Sequence, residues 1–150
     1  QRLGADKLAA MRFGASPMGR TRQTREARRE AMGLPIRDYA LDERLKEITF
    51  GDWEGFTWRE IQHRAADGAA RREADKWRFT PPGGESYATL CRRIEPWLEA
   101  VESETVVVSH GGVARAMMHL AAGFDPVRAS VAEVTQGRAI LFETGGMRWL

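Results

Sequence analysis

The sequence predicts an α/β fold built on a mainly parallel sheet. Three observations lead there. Thr105–Val108 is a run rich in β-branched residues. It passes through Gly111 and Gly112 into apolar residues at helical spacing, Val113, Ala116, Met117 and Leu120, which makes a strand, a tight turn and a helix. Strand-like and helix-like stretches alternate along the chain, the order that lays helices on both faces of parallel strands. A length of 150 residues, 43% hydrophobic and 29% charged, suffices for a single domain with a full core.

The elements follow from local chemistry. Residues 2–11 carry a partial apolar stripe, Leu3, Leu8 and Met11, and read as the inside of a helix without a cap. Arg12–Ala15 reads as a short strand and Ser16–Gly19 as a turn. Arg20–Met32 is all strong helix formers, stopped by Gly33 with Pro35 beyond. Ile36–Leu41 reads as a second strand, and Asp42–Gly55 as a long loop. Thr57–Ala66 is a helix opened by the capping box Thr57-Trp58-Arg59-Glu60. A charged helix is expected over Ala69–Arg78, then a hard break at Pro81–Gly84. Ser86–Val101 is a helix capped by Ser86 or Glu85, which Pro96 should kink or divide. Thr105–Ser109 should be an interior strand with the helix Gly112–Ala122 packed on it. Asp125–Val134 is helical, and Arg138–Glu143 with Met147–Leu150 forms a hairpin across Gly145 and Gly146.

Charge and composition exclude several classes. The net charge of +2 does not describe a nucleic-acid binder. Basic residues outnumber acidic ones over residues 1–38, and the arginines crowd between Arg20 and Arg29, which points to a local anion site. A single cysteine, Cys91, excludes an internal disulfide and implies a reducing, cytoplasmic setting. No apolar run reaches membrane-spanning length and no signal peptide is present.

Chemistry concentrates at three places. His110 follows the strand Thr105–Ser109 and precedes a helix N-terminus, where ligands bind in open α/β sheets and where free N–H groups favour an anion. Its competing role is a satisfied histidine at a strand end. Arg20 opens a helix after a glycine turn and adds a bidentate fork to that N-terminus, a good arrangement for phosphate. Arg25, Arg28 and Arg29, further along, read as a solvated helix face. Glu47 sits among Ile48, Phe50 and Trp53, apolar neighbours that would desolvate a carboxyl as a general acid requires. Asp52 and Glu54 compete with it, and spacing alone does not separate the three. His63 and His119 fall within helical patterns and read as structural. There is no nucleophile elbow, no phosphate-binding loop of the G-x-x-x-x-G-K-[ST] kind and no zinc spacing.

Together these segments resemble the histidine phosphatase superfamily, the phosphoglycerate-mutase-like proteins. SPMGRTRQT (Ser16–Thr24), RLKEITFGDWEG (Arg44–Gly55), PPGGES (Pro81–Ser86) and VVVSHGGVARAM (Val106–Met117) match four of its motifs in order. The resemblance implies a three-layer α/β/α sandwich and phosphoryl transfer through a phosphohistidine, without metal or cofactor. It implies that Arg20 binds the phosphoryl group. Glu47 would protonate the leaving oxygen and then activate water, and His110 would donate to the phosphoryl oxygens in the transition state. The partner implied is a small phosphorylated substrate or inorganic phosphate.

One motif of the family does not occur. The nucleophilic histidine belongs to an Arg-His-Gly segment on an N-terminal strand, and the only His-Gly pair here is His110-Gly111. With the uncapped start at Gln1, the expectation is one histidine-phosphatase-like domain that is N-terminally incomplete, its N-terminal strand missing, and inactive as it stands. The modest segment between the acid loop and PPGGES favours the phosphatase branch. The alternatives are an inactive homologue that binds a phospho-ligand and a phosphoglycerate mutase. Trp53, Phe56, Trp58 and Trp77 are candidates for a leaving-group pocket, or else core.

Overall fold

Parallel pairing places the ends of three strands side by side. In the computed structural model, which describes residues 7–8, 10–36, 39–143 and 145–150, the sheet has the order β2-β1-β3, all parallel. β1 is Arg12–Ala15, β2 is Ala40–Leu41 and β3 is Thr105–Val108. Ala15 lies opposite Val108, so Ser16 and Ser109-His110 leave the sheet at the same edge. The Ser16 N–H continues the ladder to the Val108 carbonyl at 3.1 Å.

Side-chain alternation supplies the layers. Phe13 faces α1 (Gly19–Ala31), whose Arg29 guanidinium carbon lies 4.8 Å from its ring centroid. Val107, one position on from Phe13's partner Val106, turns to the opposite face. There it packs on the main core, where Leu90, Ile94 and Ala116 are fully buried. That core joins α4 (Tyr87–Glu99), α5 (Gly111–Leu120) and α6 (Pro126–Val131). A smaller cluster, Trp53, Ile61 and Ala69, holds α2 (Trp58–Arg64) and α3 (Ala66–Ala74). The chain closes with the antiparallel hairpin β4 (Ile140–Glu143) and β5 (Gly146–Trp149). Among the described residues no helix is long and apolar enough to cross a membrane.

Several elements differ from expectation. β3 pairs only with β1 among the described residues, so β1 is the interior strand and β3 lies at the edge, with Val106–Val108 half-buried. α5 begins one residue earlier and ends at Leu120. β2 is reduced to two residues, and positions 37 and 38 of the expected strand lie outside the described residues, as does most of the expected first helix; Lys7 and Leu8 are helical. α3 starts at Ala66 and stops at Ala74, because the Asp75 carboxylate accepts from the Arg78 N–H and draws the chain into a turn. α4 runs unbroken through Pro96. The proline stands near the last turn, beyond the buried residues Tyr87, Leu90, Cys91 and Ile94 that hold the helix down. Ser86, not Glu85, caps it, accepting from the Thr89 N–H at 3.1 Å.

The solvated-face reading of α1 is wrong for two arginines. Thr21, Arg25 and Arg29 recur every four residues and form its buried face, while Arg28 is exposed. The Arg25 guanidinium lies over the Tyr39 and Phe13 rings. A planar, weakly hydrated cation with an apolar stem packs on aromatics where an ammonium would not.

Two loops define the site, and glycine lets them touch. Gly51 has φ +56°, and a Cβ there would stand 2.2 Å from the Pro82 carbonyl oxygen. The Asp52 N–H donates to that same oxygen at 2.9 Å, and the Glu85 N–H donates to the Thr49 carbonyl at 2.8 Å. Gly51→Ala should therefore cost about 3 kcal/mol or more, left-handed strain plus overpacking. Gly55→Ala, at φ +85° with open space around it, should cost about 1–2 kcal/mol. Urea unfolding of the two variants checks this, and equal losses would show that the loops do not clamp.

Candidate active site

Arg20 and His110 meet at the edge where β1 and β3 end. The Arg20 Nε donates to His110 Nδ1 at 3.3 Å, and His110 Nε2 lies 2.8 Å from the Ser16 Oγ. A neutral imidazole has one donor and one acceptor nitrogen, so accepting at Nδ1 makes Nε2 the donor to Ser16. Ser16 is fully buried and also accepts from the Met18 N–H at 3.3 Å. Burial first, then the charges of Arg20 and Arg93, push His110 down to about 4. The histidine is therefore neutral at pH 7 beside the Arg20 and Arg93 cations.

Both helices begin here. α1 starts after Met18 and α5 after His110, and neither has a side-chain N-cap hydrogen bond from its capping residue. Glu47 reaches the second terminus instead: its Oε1 accepts from the Gly112 N–H at 3.0 Å and from the Ile48 N–H at 3.0 Å. A Cβ at Gly112 would stand 2.4 Å from that oxygen and 2.8 Å from Ile48 Cγ2, so a larger residue there would displace the Glu47 carboxylate.

A cleft of about 840 Å³ contains Arg20 and Glu47 together with Lys46, Arg72, Lys76 and Arg115. His110 adjoins it through its bond to Arg20. Arg20 and His110, expected to converge on one pocket with Glu47 at its rim, are hydrogen-bonded to each other; Arg20 and Glu47 line the cleft, and His110 is not among its lining residues. Of the two competing carboxylates, Asp52 is exposed and does not line the cleft. Glu54 does line it, but its carboxylate accepts from the Thr49 hydroxyl and the Phe50 N–H, which hold it below the usual carboxylate range. Of the neighbours expected to desolvate Glu47, Ile48 and Phe50 line the cleft and Trp53 does not; it belongs to the α2–α3 cluster.

The loop is held by a residue whose role the sequence did not reveal. Arg93, on α4, forks onto the Glu85 carboxylate at 2.9 and 2.8 Å. Its remaining donors reach the carbonyls of Arg44 at 2.6 Å, Lys46 at 3.1 Å and Glu47 at 3.4 Å. Ser109 adds a fourth tie, its hydroxyl donating to the Leu45 carbonyl at 2.7 Å. Arg93 is one of two adjacent arginines on α4, and only its depth distinguishes it from Arg92. Ser16 was legible as part of a turn, not as the partner of a histidine 94 positions away.

The other histidines stand apart. His63 is exposed on α2. His119 bonds through Nδ1 to the Phe124 carbonyl at 2.7 Å and meets Trp77 edge-on at 4.8 Å. Both positions fit the structural reading. Trp77 stacks on Tyr87 in the main core, so it is not a cleft aromatic. Cys91 is buried, which pushes its thiol up to about 11 and leaves it inert at neutral pH.

Comparison with known proteins decides the family. Residues 1–150 match the histidine phosphatase superfamily (branch 1). The chain belongs to that superfamily. It is 35% identical over 113 residues to 6-phosphofructo-2-kinase/fructose-2,6-bisphosphatase 1 of Bos taurus, an alignment covering 74% of this chain and 22% of that protein. The chain thus spans under a quarter of the length of such relatives. Among solved structures it is similar to the alpha-ribazole phosphatase of Shigella flexneri, with a TM-score of 0.77, 21% identity and coverage of 95% of this chain and 72% of that one. It is also similar to a mycobacterial glucosyl-3-phosphoglycerate phosphatase determined with inorganic phosphate, with a TM-score of 0.71, 23% identity and coverage of 97% and 78%. At these identities the structural likeness speaks for the fold.

Two predictions follow from the site. The unfolded chain binds a proton at His110 near pH 6.5 and the folded chain only near 4, so stability is fully present above about 6.5 and is lost as pH falls toward 4. A bound phosphate should reverse the field and raise the His110 pKa, which an NMR titration with and without phosphate would read. An unchanged pKa would separate His110 from the anion. Arg93→Met should cost about 2–3 kcal/mol, since it strands a carboxylate and three carbonyls. Calorimetry showing no loss would remove the clamp.

Proposed function

We propose that the protein carrying this chain hydrolyses phosphomonoesters through a phosphohistidine. The observation that supports this most directly is the placement of Arg20 and Glu47 in one cleft, with His110 bonded to Arg20 where two helix N-termini meet. In this reading the phosphoryl group lies between Arg20 and the helix termini, which balance its charge. A histidine nitrogen attacks phosphorus in line, and the P–O bond to the leaving group breaks. The leaving oxygen takes its proton from Glu47. Water then attacks the phosphohistidine, giving its proton to Glu47 as the P–N bond breaks, which returns both groups to their starting state. As the anion enters, Arg20 turns from His110 Nδ1 to the phosphoryl group, and His110, protonated at Nδ1, donates from there to the phosphoryl oxygens while charge develops. Inorganic phosphate as the product fits the same cation cluster.

The attacking histidine is not one of the three described here. His110 has both ring nitrogens engaged, His119 is tied to Phe124, and His63 does not line the cleft. In this proposal residues 1–150 form a single histidine-phosphatase-like domain without its nucleophile. Residues 1–150 alone would then bind phosphate without turning over, and the nucleophile would come from another part of the protein. The same observation favours a second reading, a phospho-ligand-binding homologue without turnover.

The test compares residues 1–150 with the full-length protein on p-nitrophenyl phosphate in the presence of chelator. Activity only in the full-length protein is expected. Equal activity in both would place the nucleophile within these residues, and inactivity of both, if folded, would favour the binding homologue. Within the active protein, Glu47→Gln should keep phosphate affinity and slow turnover roughly 10²- to 10⁴-fold, while Asp52→Asn and Glu54→Gln do much less. A larger effect at either would reassign the acid.

A further inference from the structure

Next to the anion cleft lies a second cavity of about 480 Å³, lined by Phe50, Trp53, Phe56, Trp58, Ile61 and Arg72. Phe50, Glu54 and Arg72 line both cavities, so the two adjoin along a common wall. The second differs in chemistry. Its charged groups are Glu54, already satisfied by Thr49 and Phe50, and Arg72, whose guanidinium carbon lies 5.2 Å from the Phe50 centroid and 5.3 Å from that of Trp58. The floor is rigid, because Trp53 stacks on Phe79 at 5.4 Å and meets Trp58 edge-on at 6.3 Å. Phe56 is 41% exposed, with the Arg64 guanidinium carbon 4.6 Å from its ring centroid.

We infer that this aromatic basin receives the leaving group of the phosphomonoester and that the group is a flat, uncharged aromatic one. The inference rests on the phosphatase reading of the neighbouring cleft. A phosphoryl group held at Arg20 needs room for the alcohol it departs with, on the side where the acid stands, and the basin continues the cleft that holds Glu47. Its volume fits a bicyclic ring. Apolar walls and ring faces gain from such a group by burial and stacking, and Arg72, already beside two rings, can stack on a third. A second phosphate or carboxylate would meet the Glu54 carboxylate as well as Arg72 in the lining, and arginines already engaged with rings, Arg72 with Phe50 and Trp58 and Arg64 with Phe56, and would lose its hydration against aromatic carbon.

The full-length protein can be assayed on 2-(2-naphthyl)ethyl phosphate and on ethyl phosphate, both esters of primary alcohols, so that the ring and not leaving-group basicity separates them. The naphthyl ester should have a kcat/KM roughly 10- to 100-fold higher. Phe56→Ala, at an exposed position, and Trp58→Ala should each cut that preference severalfold, lowering kcat/KM for the naphthyl ester much more than for ethyl phosphate. Equal kcat/KM for the two esters overturns the basin while leaving the phosphatase reading intact. A preference that survives both substitutions also overturns it, since the ring is then read elsewhere. Hydrolysis of neither ester overturns the phosphatase reading and the basin with it.

Discussion

The candidate site depends on one guanidinium. Arg93 ties together three parts of the chain that otherwise meet only through core packing and two backbone bonds, Asp52 to Pro82 and Glu85 to Thr49: the α4 helix that carries it, the Glu85 carboxylate of the proline-glycine turn, and the carbonyls of Arg44, Lys46 and Glu47. A planar cation with five donors can satisfy a carboxylate and a row of carbonyls at once, which an ammonium cannot do with the same geometry. Its side chain and that of Glu85 are mostly buried, so the pair works in a medium that screens little. The loop that presents Glu47 is otherwise built from short 3₁₀ turns, Glu43–Leu45 and Gly51–Trp53, which have little stability of their own.

Glycine completes the clamp from the other side. At Gly51 and Gly112 the backbone comes so close to Pro82 and to the Glu47 carboxylate that any side chain would push the loop away. The Glu47 carboxylate is anchored to a helix terminus only because Gly112 has no Cβ. Glu47 and His110 therefore share α5: its N-cap is His110 and its second residue holds Glu47. Displacement of this helix would move both groups together.

Electrostatics at the site is poised for an anion. Cations from several segments line the cleft, and the histidine beside them is kept neutral by burial and by those same cations. Such a site carries the cost of concentrated like charge until an anion enters. Arg20 fixes the tautomer, since its Nε–H can only donate to His110 Nδ1, which leaves Nε2 to donate to the Ser16 hydroxyl.

Local signals in the sequence determined much of this protein: the β-branched run ending at Ser109-His110, the capping box at Thr57, the Gly33 stop, the hairpin across Gly145-Gly146, and the ordered segments carrying Arg20, Glu47 and His110. Each is legible because the physical cause lies within a few residues of its effect. What the tertiary structure decided has causes that lie far apart in sequence. Arg25 and Arg29 look like a solvated face until Phe13 and Tyr39 come over them, and β3 looks interior although, among the described residues, it pairs on one side only. Arg93 is anonymous among the arginines until it reaches carbonyls 46 to 49 positions away. Trp53 and Trp77 look alike as aromatics, and only packing puts one in the wall of a basin and the other in the core. Composition and spacing report what a side chain can do, while partners brought together by folding decide which of those things it does.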